Sequence, residues 1–441
     1  MDRTYYIATM GCQMNEYDSE YLARLLQEAG YLPAEVPEKA DFLLINTCAV
    51  REKAEQKAFS LLGRMVSLKK TRPAMILGMM GCVAQKQGKD LLDRHAGLDL
   101  VLGTRELGRF KEILRKLQAG ERKVAATELD GKPAPALLKE GFFKGRVKGF
   151  ITIMEGCNNF CTYCVVPYVR GREVSRPPLE IVREAEHLAR EGVKEITLLG
   201  QNVNSYSNYE SQHVGFAHLL KMIHAVTGLR RIRFTTSHPK DLSSELITAF
   251  KDLDKLCSHI HLPFQAGSDR VLRAMNRAYT RRKYLDLIAR LREVRPHIAV
   301  SSDVMVGFPG ESREDFELTL DLIEKVQFDS LYSFRYSDRP GTAAAAFEKK
   351  IPEEEKAARL AELQKIQKGI TLKKNKQMLG RETEILIEGL SRKKNQLTGR
   401  TSSNKVVNIS YKTGMIGKLV KVKIKYAYAN SLWGEDPQDV E

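Results

Sequence analysis

No run of about 18 apolar residues occurs anywhere in the chain, and without one a membrane-spanning helix is excluded. The opening MDRTYYIATMGC carries neither a basic leader nor a signal-type apolar stretch, so the chain reads as cytoplasmic, with no membrane partner. Repeat arrays and low-complexity tracts are also missing. Cysteine is sparse and odd in number, seven in 441 residues. In a reducing compartment that count argues against a disulfide framework and for metal ligands or core thiols. Acidic residues are thin in one place: from Lys365 to Lys425, sixteen Lys and Arg face three Glu. Most of the net charge of +16 therefore sits in one module, and so local an excess suits a polyanionic partner, nucleic acid first.

What is present divides into segments. At about 150 residues per domain the length allows two to four. In residues 1–120, the runs YYIAT (5–9), DFLLINT (41–47), MILGMM (75–80) and DLVLG (99–103) predict buried parallel strands. Helical spacing runs through YDSEYLARLLQEAG, from Arg51 to Lys69, and from Gln85 and Glu106. This is the pattern of a doubly wound α/β domain. Residues 121–147, with DGKPAP and few apolar side chains, read as a linker. Residues 148–370 repeat strand then helix six times, the strands being GFITIM, EITLLG, RIRFTT, SHIHLP, IAVSSDVMVG and FDSLYSFRY. Right-handed crossovers curl such units into a partial (β/α)6 barrel with its reactive loops at the strand C-termini.

A helical stretch from Pro352 to about Leu379 leads into residues 371–438. There ETEILIEGLS, NQLTGRTS, KVVNIS and KLVKVKIKYAYANSLWGE alternate in the manner of a small antiparallel β-barrel. In it Arg392, Lys393, Lys394, Arg400, Lys405, Lys421, Lys423 and Lys425 are candidate phosphate contacts. Alternation places the last three on one face. Contacts of this kind position a nucleic acid without reading its sequence, and weaken as salt rises.

Chemistry is concentrated in the cysteines. MEGCNNFCTYC (154–164) packs Cys157, Cys161 and Cys164 into eight positions after the first barrel strand. Three readings are open: a zinc site closed by a distant fourth ligand, three unrelated core thiols, or an iron–sulfur cluster held by three thiolates with one iron exposed. Zinc sites usually present paired C-x2-C units, and this loop does not. Cys12, Cys48 and Cys82 each lie near the C-terminal end of a predicted strand. In an open parallel sheet those ends face one crevice, so residues far apart in sequence converge on one ligand. The other reading is three buried small hydrophobes. Cys257 is left over and reads as an inert core thiol.

The loop IMEGCNNFCTYCVVPYVRGREVSR (153–176) resembles that of the radical S-adenosylmethionine (SAM) enzymes. GCQMNEYDSE (11–20), NTCAVREKAEQK (46–57), GCVAQ (81–85), LLGQNVNSY (198–206), HLPFQAGSDRVLRAMNRAYTR (261–281) and SDVMVGFPGES (302–312) narrow the likeness to the methylthiotransferases. It spans essentially the whole chain, including a C-terminal TRAM domain over the small basic barrel.

The resemblance implies two [4Fe-4S] clusters and SAM as cofactors. One cluster, on Cys157, Cys161 and Cys164, cleaves SAM to a 5′-deoxyadenosyl radical; an auxiliary one, on Cys12, Cys48 and Cys82, carries the sulfur. It further implies SAM contacts at Tyr163 by the adenine, at Gly200 and Gln201 after the second strand, and at Gly307 after the fifth. Arg170, Arg172 and Arg176 follow the cluster loop and are placed toward the SAM carboxylate or tRNA phosphate, and no side chain is implied as an acid or base. The implied reaction is methylthiolation of adenine C2, an inert C–H that general-base chemistry does not open and a radical cofactor does. GCQMNEYDSE, PYVRG and MNRAYT most resemble members acting on N6-isopentenyladenosine in the anticodon stem-loop of tRNA. Sister members act on N6-threonylcarbamoyladenosine in tRNA or on a ribosomal-protein aspartate. A low-potential electron donor such as flavodoxin or ferredoxin, and a sulfur donor, are the other implied partners.

Overall fold

The computed structural model describes residues 3–49, 52–209 and 213–435. The N-terminal sheet is six-stranded and parallel, in the order Leu32–Pro33, Thr4–Met10, Phe42–Thr47, Ile76–Gly81, Leu100–Leu102, Val124–Ala126. Its two central strands are buried at every position, as expected of parallel strands covered on both faces. Helices Gln13–Glu28 and Phe110–Gln118 pack on one face through Leu22, Leu25, Phe110 and Leu114. Helix Glu52–Lys69 covers the other through Ala58, Leu62 and Met65.

Two edge strands were not legible in the sequence. Leu32–Pro33 is two residues long. Val124–Ala126 falls inside the expected linker, pairs with Leu100–Leu102 and is followed by the buried Ala134 and Phe143. A three-residue edge strand with one partner needs little apolar patterning, so composition did not mark it.

The central domain holds the six expected parallel strands as two curved sheets. Lys148–Thr152, Glu195–Leu199 and Arg231–Phe234 form one, and His259–His261, Ala299–Val306 and Ser330–Arg335 the other. A lone parallel bridge between Ile232 and Leu256 lies between them. One apolar core runs through both. Around it lie helices Pro178–Arg190, Phe216–His224, Ser244–Asp252, Arg281–Val294 and Arg313–Val326. Ser243, Thr280 and Ser312 cap three of these by accepting backbone N–H groups.

Helix Glu353–Lys376 packs against the last strand and leads to a closed five-stranded barrel: Glu382–Leu390, Gln396–Thr401, Val406–Ser410, Leu432–Glu435, Leu419–Ala427. Four of its pairings are antiparallel, but Val406–Ser410 runs parallel to Leu432–Glu435, because the final strand must return between two existing strands to close the ring. Closure removes the free edges.

Two barrel arginines fasten this module. Arg231 Nη1 donates to Arg400 O at 2.6 Å, and Arg233 Nη2 to Thr401 O at 2.8 Å. Arg233 is itself paired with Glu195 at 3.0 Å, both side chains being buried. Replacing Arg233 by Met leaves a buried carboxylate and two carbonyls unpaired, a loss of about 3 kcal/mol. The single tryptophan, Trp433, lies in the small barrel. Its fluorescence transition in urea should therefore move to clearly lower denaturant in Arg233→Met.

Candidate active site: two thiol triads at one domain interface

Strand register brings the first triad together. Met10 lies opposite Thr47, and Thr47 opposite Gly81, across three adjacent parallel strands. Cys12, Cys48 and Cys82 follow that row by two, one and one residues, so they emerge side by side from neighbouring strands roughly 4.8 Å apart. Cys48 hydrogen-bonds to both other thiols. Held between them and buried, it keeps its proton, its pKa raised, while hydrogen bonding with Cys48 lowers the pKa of Cys12 and of Cys82. The charge of Arg170 adds to both depressions.

Beneath the triad, Asn15 Oδ1 accepts from Cys12 N at 3.1 Å and from Cys12 Sγ at 3.3 Å. Asn15 Nδ2 reaches Asn46 Oδ1 at 2.9 Å, and Asn46 Nδ2 donates to Ser19 Oγ at 2.9 Å. The amides therefore tie the helix bearing Asn15 to the strand that ends beside Cys48.

Helix Gln13–Glu28 also carries the domain interface. Met14, Tyr17 and Asp18 share one face by helical spacing. Met14 and Tyr17 pack on Leu199 of the barrel, and Tyr17 reaches Glu184 at 3.4 Å. Asp18 Oδ2 accepts from Arg170 Nη2 at 2.6 Å with both side chains buried. Arg105 crosses in the other direction, donating to the carbonyls of Arg170 (3.0 Å), Glu155 (3.2 Å) and Arg172 (2.7 Å).

The second triad occupies the loop after the first barrel strand. Gly156 turns it at φ 81°, where an added Cβ would stand 2.0 Å from Arg172 O, so only glycine fits. Asn276 Nδ2 donates to Asn159 O and Phe160 O, both at 3.1 Å. Thr162 is held by Met275 O, Ala274 O and the N–H of Ala344.

The thiols lie in mixed surroundings. Cys157 Sγ accepts from Asn159 Nδ2 at 3.3 Å, and Cys161 Sγ from Arg277 Nη1 at 3.6 Å. Burial, and then the neighbouring Cys161, push Cys164 up to about 12. Arg277 is buried and also donates to Pro263 O at 2.9 Å. Nearby, burial and the charges of Arg277 and Lys240 hold His238 near 2, a neutral ring against Tyr279.

Comparison with known proteins agrees with this layout. Residues 4–103 match the uncharacterized protein family UPF0004, 151–323 the radical SAM superfamily and 376–435 the TRAM domain. A tRNA-2-methylthio-N(6)-dimethylallyladenosine synthase of Syntrophus aciditrophicus is 50% identical over 98% of this chain and 94% of its own. One of Syntrophobacter fumaroxidans is 52% identical over 98% and 95%. The chain belongs to this synthase family. Among solved structures, the radical SAM methyltransferase TsrM of Kitasatospora setae shares the fold, with a TM-score of 0.56 at 14% identity over 78% of this chain and 77% of that one.

Synthases of this family use SAM and [4Fe-4S] clusters, and the donor sets here fit such groups. None of the seven cysteines forms a disulfide. Each triad offers three sulfurs, the ligand type of iron–sulfur clusters, and leaves one position to a further ligand. Among the described residues no group of three or more His, Cys, Asp or Glu is arranged around a single metal ion. The fit therefore rests on the sulfur-only donor sets and on the unpartnered Nη1 of Arg170, a buried positive charge beside the first triad.

The other residues singled out in the sequence fall in varied places. Tyr163 packs on the barrel core, its phenol pushed up by burial against the opposing charge of Arg277. Gly200 lies against Met154, and Gln201 Oε1 accepts the N–H of Gly156, joining the second loop to the cluster loop. Gly307 donates to Glu311 Oε1 at 3.1 Å and stands against Lys356. Arg170 is buried at the first triad, although it follows the loop of the second. Arg176 is buried too, paired with Glu184 at 2.8 Å, while Arg172 is exposed over the Phe160 ring. Cys257 is a buried thiol raised by burial.

In the small barrel, Arg392, Lys393 and Lys394 are exposed in a turn, and Lys421, Lys423 and Lys425 are exposed between the buried Val422 and Ile424. Lys425 pairs with Glu435 at 3.2 Å. Arg400 and Lys405 are engaged within the protein: Arg400 with Glu388 at 3.3 Å, and Lys405 with Asp329 at 3.1 Å.

Sequence reasoning gave no role to Arg105, Asp18, Asn15 or Arg277. The last three lie inside GCQMNEYDSE and MNRAYT, and for Asn15 and Asp18 a charged or amide residue at a helix position facing other elements was the available signal.

In the iron-free chain, Cys12 is half-buried and its pKa is lowered, first by its hydrogen bond with Cys48. Iodoacetamide at pH 7 should label it readily and leave Cys164 unlabelled. Cys48→Ala removes the donated proton and should slow Cys12 labelling at pH 7 by roughly tenfold or more, the thiolate being the nucleophile.

Proposed function

We propose that this protein methylthiolates C2 of N6-dimethylallyladenosine beside the anticodon of tRNA, giving 2-methylthio-N6-dimethylallyladenosine. The observation that carries the reading is a pair of three-cysteine sites at one domain interface, in a chain about half identical, nearly end to end, to synthases of that name. When bound, the group at Cys157, Cys161 and Cys164 supplies a single electron to SAM, and the group at Cys12, Cys48 and Cys82 supplies a place for sulfur. The chain's own residues orient and enclose. Arg277 and Asn159 direct N–H groups at the sulfurs of the second triad, and Gln201 fixes the loop that bears it. Arg170 sets a buried positive charge beside the first triad, where sulfur ligands accumulate negative charge.

The exposed Arg392, Lys393, Lys394, Lys421 and Lys423 of the TRAM barrel suit phosphate contacts that position RNA without reading it. A base near the anticodon leaves its loop stack to reach the interface. Arg400 and Lys405 serve the barrel junction in this reading. Among the described residues no helix is long and apolar enough to cross a membrane. The partners proposed are tRNA, a low-potential electron donor of the flavodoxin or ferredoxin class and a sulfur donor, with the reaction in the cytoplasm.

The test is mass spectrometry of nucleosides from bulk tRNA of cells with and without the gene. Loss of the methylthiolated dimethylallyl nucleoside, with its precursor accumulating, is expected. Loss of a threonylcarbamoyl product instead, or no change in tRNA, would overturn the substrate. With purified enzyme, Cys161→Ala should abolish 5′-deoxyadenosine formation. Cys48→Ala should keep it while losing methylthiolated product to background; product from the second variant would contradict the assigned roles.

A further inference from the structure

The TRAM barrel does not hold all of the unpaired positive charge. Helix Glu52–Lys69 and the end of strand Thr4–Met10 line an open hollow of about 860 Å³. Its floor is apolar, from the half-buried Met10 and the buried Leu61, and its wall carries Lys53, Lys57 and Arg64. All three cations are exposed, and none forms an ion pair among the described residues. Positions 53, 57 and 64 share one helix face over about three turns, roughly 16 Å. Lys53 and Lys57 are like charges one turn apart, a mildly destabilising arrangement in a free helix, which a bound polyanion would reverse.

The hollow's position is informative. Met10 precedes Cys12 by two residues, and its carbonyl accepts the N–H of Cys48 at 3.2 Å. The groove therefore begins beside the strand end that leads to Cys12. We infer that it holds RNA backbone: the phosphates flanking the base to be modified lie along Lys53, Lys57 and Arg64, and a ribose or base edge rests on Met10 and Leu61. The inference rests on the proposed tRNA substrate and gives that substrate a second contact, on the sulfur-bearing domain. An acidic electron-transfer protein is the other polyanion to consider. Its electron is needed at Cys157, Cys161 and Cys164, whereas this groove is lined by Met10, two residues before Cys12 on the strand that leads to the first triad.

The experiment measures binding of full-length tRNA to the full-length holoenzyme across a salt series. Lys53→Gln/Lys57→Gln/Arg64→Gln should weaken binding about tenfold or more at 0.1 M salt. The slope of log Kd against log salt should fall by about 2, at about 0.7 per single-strand phosphate. The charge-keeping set Lys53→Arg/Lys57→Arg/Arg64→Lys should bind as the wild type does. A readout free of any folding question comes from the unmutated enzyme: bound tRNA should protect Lys53 and Lys57 from amine acylation, read by peptide mass spectrometry. Wild-type affinity and slope in the Gln variant, with or without a defect in reduction by flavodoxin, would overturn the groove alone, as would absence of protection. Absence of tRNA binding by the wild type would overturn the groove and the proposed substrate together.

Discussion

The arrangement of the active site depends on one buried ion pair. Asp18 and Arg170 meet at 2.6 Å with almost no exposure, and each keeps one atom, Asp18 Oδ1 and Arg170 Nη1, without a protein partner. Taking two charges out of water is costly, and only close geometry with added hydrogen bonds offsets it. Burial pushes the Asp18 carboxyl up, and the charge and hydrogen bond of Arg170 oppose this. The pair joins a helix of the N-terminal domain to the short helix that follows the second cysteine loop. Arg105 reinforces it with three carbonyl contacts on the same loop. Relative placement of the two triads is therefore set by this pair together with the Arg105 contacts, around which Met14 and Tyr17 add apolar packing.

The second cysteine loop is ordered from several sides. Backbone and side-chain bonds from Asn276, Met275, Ala274, Ala344 and Gln201 converge on it. In small metal domains folding often waits for the metal. Here the protein scaffold already specifies the loop's path, and the ordering cost is met by bonds that do not involve sulfur. Preorganisation of this kind favours a cofactor held in one orientation relative to its substrate.

Much of this was legible in the sequence. The central strands Phe42–Thr47 and Ile76–Gly81 are unbroken apolar runs because both faces are covered, and the six barrel strands are separated by amphipathic helices. Cys12, Cys48 and Cys82 were read as convergent because strand ends in a parallel sheet share a crevice, and the register row of Met10, Thr47 and Gly81 shows why they meet. Burial of charge was not legible. Arg170 ends a short helix before an arginine-rich turn that reads as surface, and only the approach of helix Gln13–Glu28, some 150 residues away in sequence, encloses it. Arg400 and Lys405 look like their neighbours Arg392 and Lys394, and differ only in facing the barrel junction. Contacts between distant segments leave no local pattern, so charged residues in them resemble solvent-facing ones.

The two triads are built on different scales of chain. Cys157, Cys161 and Cys164 lie within eight residues of one loop, whereas Cys12, Cys48 and Cys82 are carried by three strands whose alignment needs the whole N-terminal sheet. Proteins open in cooperative subunits before they unfold as a whole. An opening of the N-terminal sheet would scatter the first set of sulfurs and also strip the second loop of its contacts with Arg105 and Asp18. The first set of sulfurs thus depends on the register of a whole sheet, and the second on the path of one loop.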